Sequence, residues 1–173
     1  MAVLLAVAFQ KAGHRVALLD RDPQGTATRW IRETREVELA QPGVDYRIQV
    51  IDTPPQLESP LLLQSLAEAD CVLLVSSPSP ADLWTSQDSV AVIRAHLRPG
   101  RQARILFNQV QPRTVLGKDL ASLAHRIGLL PLTTHVSRRQ AFQHSALLGW
   151  RALDSESRQE LLHVALELAA LQP

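Results

Sequence analysis

The amino-acid sequence predicts an α/β fold with a mainly parallel, doubly wound sheet. Short apolar runs suit strands that are buried on both faces, and they alternate with longer segments of helical pattern. Strands that alternate with helices in this way indicate βαβ units. Only 4% of the 173 residues are aromatic, so we expect an aliphatic core. A chain of this length usually forms one domain, and we expect residues 1–173 to do so.

The turn and helix signals divide the chain into alternating elements. Gly13 and Gly128 follow apolar helical segments and predict their ends. Two prolines after Asp52 end a strand, since proline cannot donate to a sheet ladder. We expect residues 36–45 to form a loop. We expect Asp82 to cap the helix predicted over residues 83–97. The predicted strands are 16–19, 47–51, 71–75, 104–107 and 130–134. The predicted helices are 2–12, 26–34, 58–68, 83–97, 116–127, 139–148 and 155–170.

Positive charge is concentrated in one part of a chain whose net charge is only +1. Residues 94–151 contain ten Lys or Arg residues and one acidic residue, Asp119. Such a stretch favours a surface that binds a polyanion, and the alternative is an ordinary solvated surface.

Composition argues against several other classes of protein. The single cysteine, Cys71, excludes an internal disulfide, and its apolar neighbours predict a buried core residue in a reducing compartment. No apolar run approaches the ~20 residues that span a membrane. Residues 1–9 lack the basic start and cleavage site of a signal peptide, so we expect a cytoplasmic protein. The scattered histidines do not favour a zinc site.

Polar residues end three of the predicted strands: Asp20, Asp52 and Asn108. In open α/β sheets ligands bind beyond the carboxyl ends of the strands. A buried strand that ends in a charged side chain is costly unless something binds that side chain. The three ends together therefore favour a ligand site over helix capping or loop bracing.

The segment after the first strand, Asp20-Arg21-Asp22-Pro23-Gln24-Gly25, predicts a rigid turn. Pro23 fixes its own φ and restricts Asp22, and Gly25 permits a tight bend. Such a turn could hold the Asp22 carboxylate so that it orients a water molecule toward a phosphate. The alternative is an Asx turn that leads into a helix. Asp52, at the tip of the second strand, has the arrangement of a Mg²⁺-binding Walker B carboxylate.

Together these segments resemble the ParA/MinD group of deviant Walker ATPases, and most closely the small ParA-like plasmid and chromosome partition proteins. The matching segments occur in the family's order: HRVALLDRDPQGTATRW, VIDTPP, VSSPSPADLWTSQ, ILFNQV and RRQAFQHSALLGWRALD. The resemblance implies a P-loop NTPase-like fold that binds ATP and Mg²⁺. It also implies non-specific DNA binding, a homodimer with ATP, a ParB-like centromere-binding adaptor as partner, no membrane, and a cytoplasmic location on the nucleoid.

The resemblance also implies a role for individual residues. Asp22 matches the carboxylate that positions the attacking water, and Asp20 and Asp52 match carboxylates near the metal. The residues implied to lie at the nucleotide are Gln24, Pro78, Pro80 and Asn108, and those implied at the DNA are Arg138 and Arg139.

One family feature does not occur in residues 1–173: the first strand with its KGGxGKTT loop, whose amides and lysines cradle the phosphates. All glycines are isolated, and Met1 aligns just after the position of that loop. We therefore expect a truncated or mis-started chain that hydrolyses ATP poorly on its own. The alternative is a non-catalytic relative that binds DNA or a partner. A MinD-like membrane regulator is disfavoured because residues 155–170 are net acidic. An amidoligase relative is disfavoured by the partition-type segments.

Overall fold

A computed structural model describes residues 1–171, which form two compact units. The first contains residues 1–62 and 139–166, and the second contains residues 63–138 and the described residues from Glu167 onward. Two helices contain the unit boundaries, α3 (Pro60–Glu68) and α8 (Ser155–Ala170). No helix in the described part of the chain is long and apolar enough to cross a membrane.

The first unit has a three-stranded sheet in the order β2-β1-β3, with all strands parallel. The strands are β1 (Val16–Asp20), β2 (Glu38–Leu39) and β3 (Ile48–Asp52). The other elements of this unit are α1 (Ala2–Lys11), α2 (Thr26–Thr34), α7 (Ala141–Leu148) and a 3₁₀ turn (Gly149–Ala152). In the pairing of β1 with β3, Val16 lies opposite Ile48 and Asp20 lies opposite Asp52.

Helix α1 explains much of the core of the first unit. Every residue from Val3 to Phe9 is buried. A helix that is apolar on all sides is stable only when it is surrounded by protein, which fits this burial. The helix ends before Gly13, whose φ of 91° is a left-handed conformation that glycine adopts without strain.

The second unit has a parallel sheet in the order β4-β5-β6. Its strands are β4 (Cys71–Ser76), β5 (Gln102–Phe107) and β6 (Leu130–Pro131). Its helices are α4 (Pro80–His96), α5 (Val115–Lys118) and α6 (Leu120–Ile127). The core consists of aliphatic side chains packed around one aromatic ring, from Val90, Ile105, Phe107, Val110, Leu123, Ala124 and Ile127.

The prediction of a parallel α/β fold is confirmed, with several local corrections. Residues 36–45 are not all loop, because β2 pairs with β1 there. The helix expected over 116–127 is interrupted at Asp119, whose φ of −122° and ψ of 43° are not helical. Helix α4 is capped by Ser79 and not by Asp82: the Ser79 hydroxyl accepts the Asp82 N–H at 3.2 Å.

Two other differences arise from the edges of the second sheet. Cys71 is half-buried, not a core residue, because β4 pairs with another strand on one side only in this sheet. The strand expected over 130–134 ends at Pro131. Beyond it, the N–H groups of Thr133 and Thr134 each donate to the Glu167 carboxylate at 2.7 Å and not to a strand.

Candidate functional site

Two carboxylates lie side by side at the carboxyl end of the first sheet. Asp20 ends β1 and Asp52 ends β3, and they are opposite each other in the register of the two strands. Neighbouring strands are about 4.8 Å apart, so these two side chains belong to one site. The Arg21 N–H donates to the Asp52 carbonyl at 2.8 Å, which extends the pairing by one residue. The predicted grouping of Asp20 with Asp52 is therefore present.

The Asp20 carboxylate is occupied by hydrogen bonds from its own chain. One oxygen accepts the Asp22 N–H at 3.1 Å. The other accepts the Thr28 N–H at 2.8 Å and the Thr28 hydroxyl at 2.7 Å. Since Thr28 lies in the first turn of α2, Asp20 satisfies an N–H group that the helix leaves without a partner. Asp20 thus braces the turn against the helix, which is the structural role that sequence reasoning set beside the ligand site.

Thr28 is a site residue that sequence reasoning missed. The signal was present: a threonine three residues inside a helix that begins at a turn can donate back to a preceding carboxylate. Helix capping was the alternative role given to the carboxylates at the strand ends, but no donor group of α2 was named for Asp20.

The Asp22 carboxylate forms an Asx turn at the start of α2. One of its oxygens accepts the Gln24 N–H at 3.0 Å, and the Asp22 carbonyl accepts the Gly25 N–H at 2.9 Å. Gly25 has a φ of 65°, so the bend requires a left-handed residue at that position. No residue from 1 to 171 donates a hydrogen bond to the second Asp22 oxygen. The turn therefore fixes the carboxylate while leaving one oxygen for another group. Gln24 itself is exposed.

The Asp52 carboxylate is half-buried and accepts no hydrogen bond from the described residues. Burial raises the pKa of this carboxyl above its usual range, the Met1 amino group lowers it in part, and the Asp20 and Asp22 charges raise it further. A cation beside Asp52 would relieve both the burial cost and the repulsion.

The chemistry of this acidic group suits Mg²⁺ better than a metal held by protein alone. Within residues 1–171, no three acidic, histidine or cysteine side chains lie close enough to form a metal site by themselves. Mg²⁺ prefers oxygen ligands, keeps several waters, and is usually bound by one or two carboxylates with substrate phosphates. Asp52 fits that requirement, with Asp20 beside it.

In the second unit, Asn108 follows β5 next to the end of β4. Its N–H donates to the Ser76 carbonyl at 2.8 Å. Its side-chain oxygen accepts the Gln109 N–H at 2.9 Å, at a residue whose φ is 56°. The carboxamide is thereby held in one orientation, and its NH₂ group is the part left to bind a ligand.

The loop that carries Pro78 and Pro80 is fixed by serine side chains. Pro80 occupies the first turn of α4, where proline is well tolerated, and Pro78 is half-buried. The Ser77 hydroxyl bonds to the Asp82 carboxylate. The Ser86 hydroxyl lies 2.9 Å from that of Ser76 and donates to the Asp82 carbonyl at 2.6 Å. Sequence reasoning noted the prolines of this loop and missed the hydroxyl groups that order it.

The predicted DNA residues Arg138 and Arg139 have different surroundings. Arg139 pairs with Glu156 at 3.0 Å and with Glu160 at 2.8 Å, both on α8. Burial lowers the pKa of Arg139, but the bonds and charges of Glu160, Asp154 and Glu156 outweigh it and raise the pKa. Arg138 is exposed, and its N–H donates to the Val110 carbonyl at 2.9 Å. Among the described residues, a phosphate would have to displace two carboxylates from Arg139 but none from Arg138.

The basic stretch of residues 94–151 contains two kinds of cation, those bonded within the chain and those that are exposed. Some are bonded within the chain, such as Arg94 to the Gly128 carbonyl at 2.8 Å and Arg101 to Asp70 at 2.7 Å. The others are exposed, with side chains that make no ion pair or hydrogen bond in the described part of the chain: Arg113, Lys118, Arg126, Arg138 and Arg151. The first four of these belong to the second unit.

Parallel strands that end in carboxylates or an amide are typical of α/β domains that bind a ligand beyond the carboxyl ends of their strands. Residues 1–147 match the family model CbiA, described as the CobQ/CobB/MinD/ParA nucleotide binding domain. The chain belongs to this family, as its sequence resemblance predicted.

Two curated proteins are similar to this chain over most of its length. The chain is 30% identical to the maintenance of carboxysome distribution protein A of Halothiobacillus neapolitanus, over 78% of this chain and 71% of that protein. It is 33% identical to the protein of that name from Gloeobacter kilaueensis, over 96% and 86%.

Solved structures share the fold at low sequence identity. The MinD cell division protein of Aquifex aeolicus has a TM-score of 0.75 at 13% identity, covering 98% of this chain and 90% of that one. A ParA family ATPase from Chlorobium tepidum has a TM-score of 0.67 at 14% identity, covering 96% and 91%.

Proposed function

We propose that the chain is a ParA-like ATPase domain that positions a cellular cargo through nucleotide-dependent binding to DNA. The observation that carries the proposal is the acidic end of the first sheet, where Asp20 lies opposite Asp52 and the Asp20–Gly25 turn fixes the Asp22 carboxylate through the Gln24 N–H. The cargo is a replicon in the partition proteins that the sequence resembles. The names of the two curated relatives make a carboxysome the second candidate cargo.

The acidic residues divide the chemistry between them. Asp52 would hold Mg²⁺, directly or through water, and Asp22 would orient the attacking water with its second oxygen. Asp20 lies opposite Asp52, and its bonds from Thr28 fix the turn that carries Asp22. A bound Mg²⁺ would neutralise charge on the phosphates of ATP. Residues 1–173 contain no glycine-rich loop to cradle those phosphates, so this set of residues is expected to turn over ATP slowly by itself.

Nucleotide binding tests the first half of the proposal. Binding of a fluorescent ATP analogue with Mg²⁺ is measured for residues 1–173 and for the same residues preceded by a strand and Walker A loop from a relative. We expect weak binding by the first protein and Mg²⁺-dependent hydrolysis by the second. Asp22→Ala should then abolish hydrolysis while retaining binding. If the loop-bearing protein binds no nucleotide but still binds DNA, the non-catalytic alternative replaces the ATPase.

DNA binding with ATP tests the second half. We expect the contacts to come from the exposed cations of the second unit, so Arg113→Gln and Arg138→Gln should each weaken binding to random-sequence duplex. Each should also lower the slope of log K against log salt by roughly 0.9. Arg139→Gln should leave the slope unchanged, because that side chain is paired with Glu156 and Glu160. Arg47→Gln, an exposed cation of the first unit, is the matched control. Slopes unchanged in every variant would rule out this surface.

The proposal also includes a homodimer and an adaptor protein as partners of the domain. An ATP-dependent homodimer would double the number of DNA contacts, and a ParB-like adaptor, or its counterpart on another cargo, would couple the domain to what it moves. Sedimentation of the loop-bearing protein with and without ATP measures the first of these.

A further inference from the structure

Helix α7 has an inverted pattern of burial. Its fully buried residue is Ser145, whereas Leu147 is 80% exposed and Leu148 is 47% exposed. The Ser145 hydroxyl is satisfied by the Phe142 carbonyl at 2.7 Å. A helix that serves only the core of its own unit places its leucines inward. Two adjacent leucines on the outside therefore indicate a surface that another molecule covers.

The corner that presents these leucines is held rigidly. Both oxygens of the Glu36 carboxylate accept the Trp150 N–H, at 2.8 Å each. Gly149 packs so closely against Glu36 that a Cβ atom there would collide with the Glu36 carboxylate. The end of α7 is thus fastened to the segment that follows α2. A preformed apolar corner binds more tightly than a mobile one because less conformational entropy is lost.

Two exposed arginines belong to the segments that meet at this corner. Arg151 immediately follows Trp150, and Arg35 immediately precedes Glu36. Both arginines are exposed. Residues 141–151 contain no carboxylate, and the Glu36 carboxylate is already bonded. The exposed carboxylate of the neighbouring helix is Glu33, which lies between Arg32 and Arg35 in the sequence. The next exposed carboxylates along the two segments are Glu38 and Asp154, and Asp154 accepts the Ser157 N–H at 2.7 Å.

We propose that this corner, formed by Leu147, Leu148, Arg151 and Arg35, docks a short protein segment with apolar side chains flanked by Asp or Glu. The leucines supply the apolar contact and the arginines select an acidic partner. A second copy of the same corner would bring arginines face to face. Interfacial membrane helices need a long apolar face, which the eight residues of α7 do not provide.

The test uses the whole chain without nucleotide, so its result does not depend on the proposed ATPase function. A phage-displayed random peptide library is selected on the chain and counter-selected on the Leu147→Ser, Leu148→Ser double variant. Enriched peptides are synthesised, and their affinities are measured by fluorescence anisotropy. We expect leucine-like residues beside Asp or Glu, and roughly a ten- to hundredfold loss of affinity in the double variant.

Charge and control variants complete the test. Arg151→Glu and Arg35→Glu should each weaken the peptide severalfold and reduce the salt dependence of binding. Leu130→Ser, which removes a 65% exposed leucine in the other unit, and Arg47→Glu should leave binding unchanged. The proposal is overturned if no enriched peptide distinguishes the double variant, or if the enriched peptides are basic. It is also overturned if Leu147 is needed for binding to phosphatidylserine vesicles or for self-association in sedimentation.

Discussion

One oxygen of Asp20 accepts both the N–H and the hydroxyl of Thr28, at 2.8 Å and 2.7 Å. The tip of β1 is therefore bonded to the first turn of α2, and the turn between them carries Asp22. The position of the proposed water-orienting carboxylate depends on this contact.

Replacing Thr28 by valine should destabilise the chain by about 1 kcal/mol, because the hydroxyl bond to a charged partner is lost. Asp20→Ala should cost more, about 2 kcal/mol, since it leaves the Thr28 N–H and hydroxyl without their acceptor. Urea denaturation followed by circular dichroism measures both. Thr26→Val, at an exposed residue of the same helix turn, is the control and should change stability by less than about 0.5 kcal/mol. Equal effects at Thr26 and Thr28 would contradict the assigned contact.

Gly149→Ala should destabilise the chain by about 2 kcal/mol or more, because strain and a collision act together. Gly149 has a φ of 67° and a ψ of −156°, which side chains adopt only with strain. The new Cβ would also force the Glu36 carboxylate away from the Trp150 N–H that it accepts. Gly43→Ala is the matched control, because Gly43 has a φ of 75° but open space around it. It should cost about 1 kcal/mol from backbone strain alone. Thermal unfolding compares the two, and a smaller loss at Gly149 than at Gly43 would contradict the close packing.

Stability should fall in acid partly through Glu167. Burial raises the pKa of this carboxyl, but hydrogen bonds from Thr134 and Thr133 outweigh it, so the pKa in the folded chain lies below the ordinary value of 4.5. A carboxyl with a lowered pKa contributes stability above its unfolded pKa and loses it as the pH drops through the folded one. Glu167→Gln should therefore cost about 1–2 kcal/mol at neutral pH, and less as the pH falls below about 4.

Urea midpoints across that pH range measure the effect of the Glu167 substitution. Glu58→Gln is the control, because Glu58 is exposed. Its midpoint should stay close to that of the unmodified chain at every pH. A loss of stability in Glu167→Gln that does not shrink in acid would contradict the lowered pKa.

Asp52→Asn should stabilise the metal-free chain by roughly 0.5–1 kcal/mol, as is common when a group placed for function is removed. The substitution deletes a half-buried charge that repels Asp20 and Asp22. The same variant should lose the Mg²⁺ dependence of nucleotide binding in the loop-bearing protein. Differential scanning calorimetry without metal measures the first effect, with the exposed Asp45→Asn as control. A lower melting temperature for Asp52→Asn would show that its carboxylate stabilises the fold.

Local rules predicted the ends of the strands and their polar residues. Asp20, Asp52 and Asn108 each follow an apolar run, and the structure places each at the carboxyl end of a parallel strand. The rules failed where two side chains could cap the same helix. Asp82 looked like a cap, but Ser79 has the extended backbone that a cap requires, and Pro80 begins the helix.

The sequence by itself determined the parallel α/β fold, the family and the turn that holds Asp22, because these depend on periodicity, proline and glycine along a local stretch of chain. Tertiary structure alone decided which charges are available. Arg138 and Arg139 are neighbours in the sequence, yet within residues 1–171 only Arg139 meets carboxylates, from Glu156 and Glu160 on a distant helix. Likewise, Glu36 reaches Trp150 across 114 positions of sequence. Long-range partners of this kind follow from packing, which no local pattern specifies.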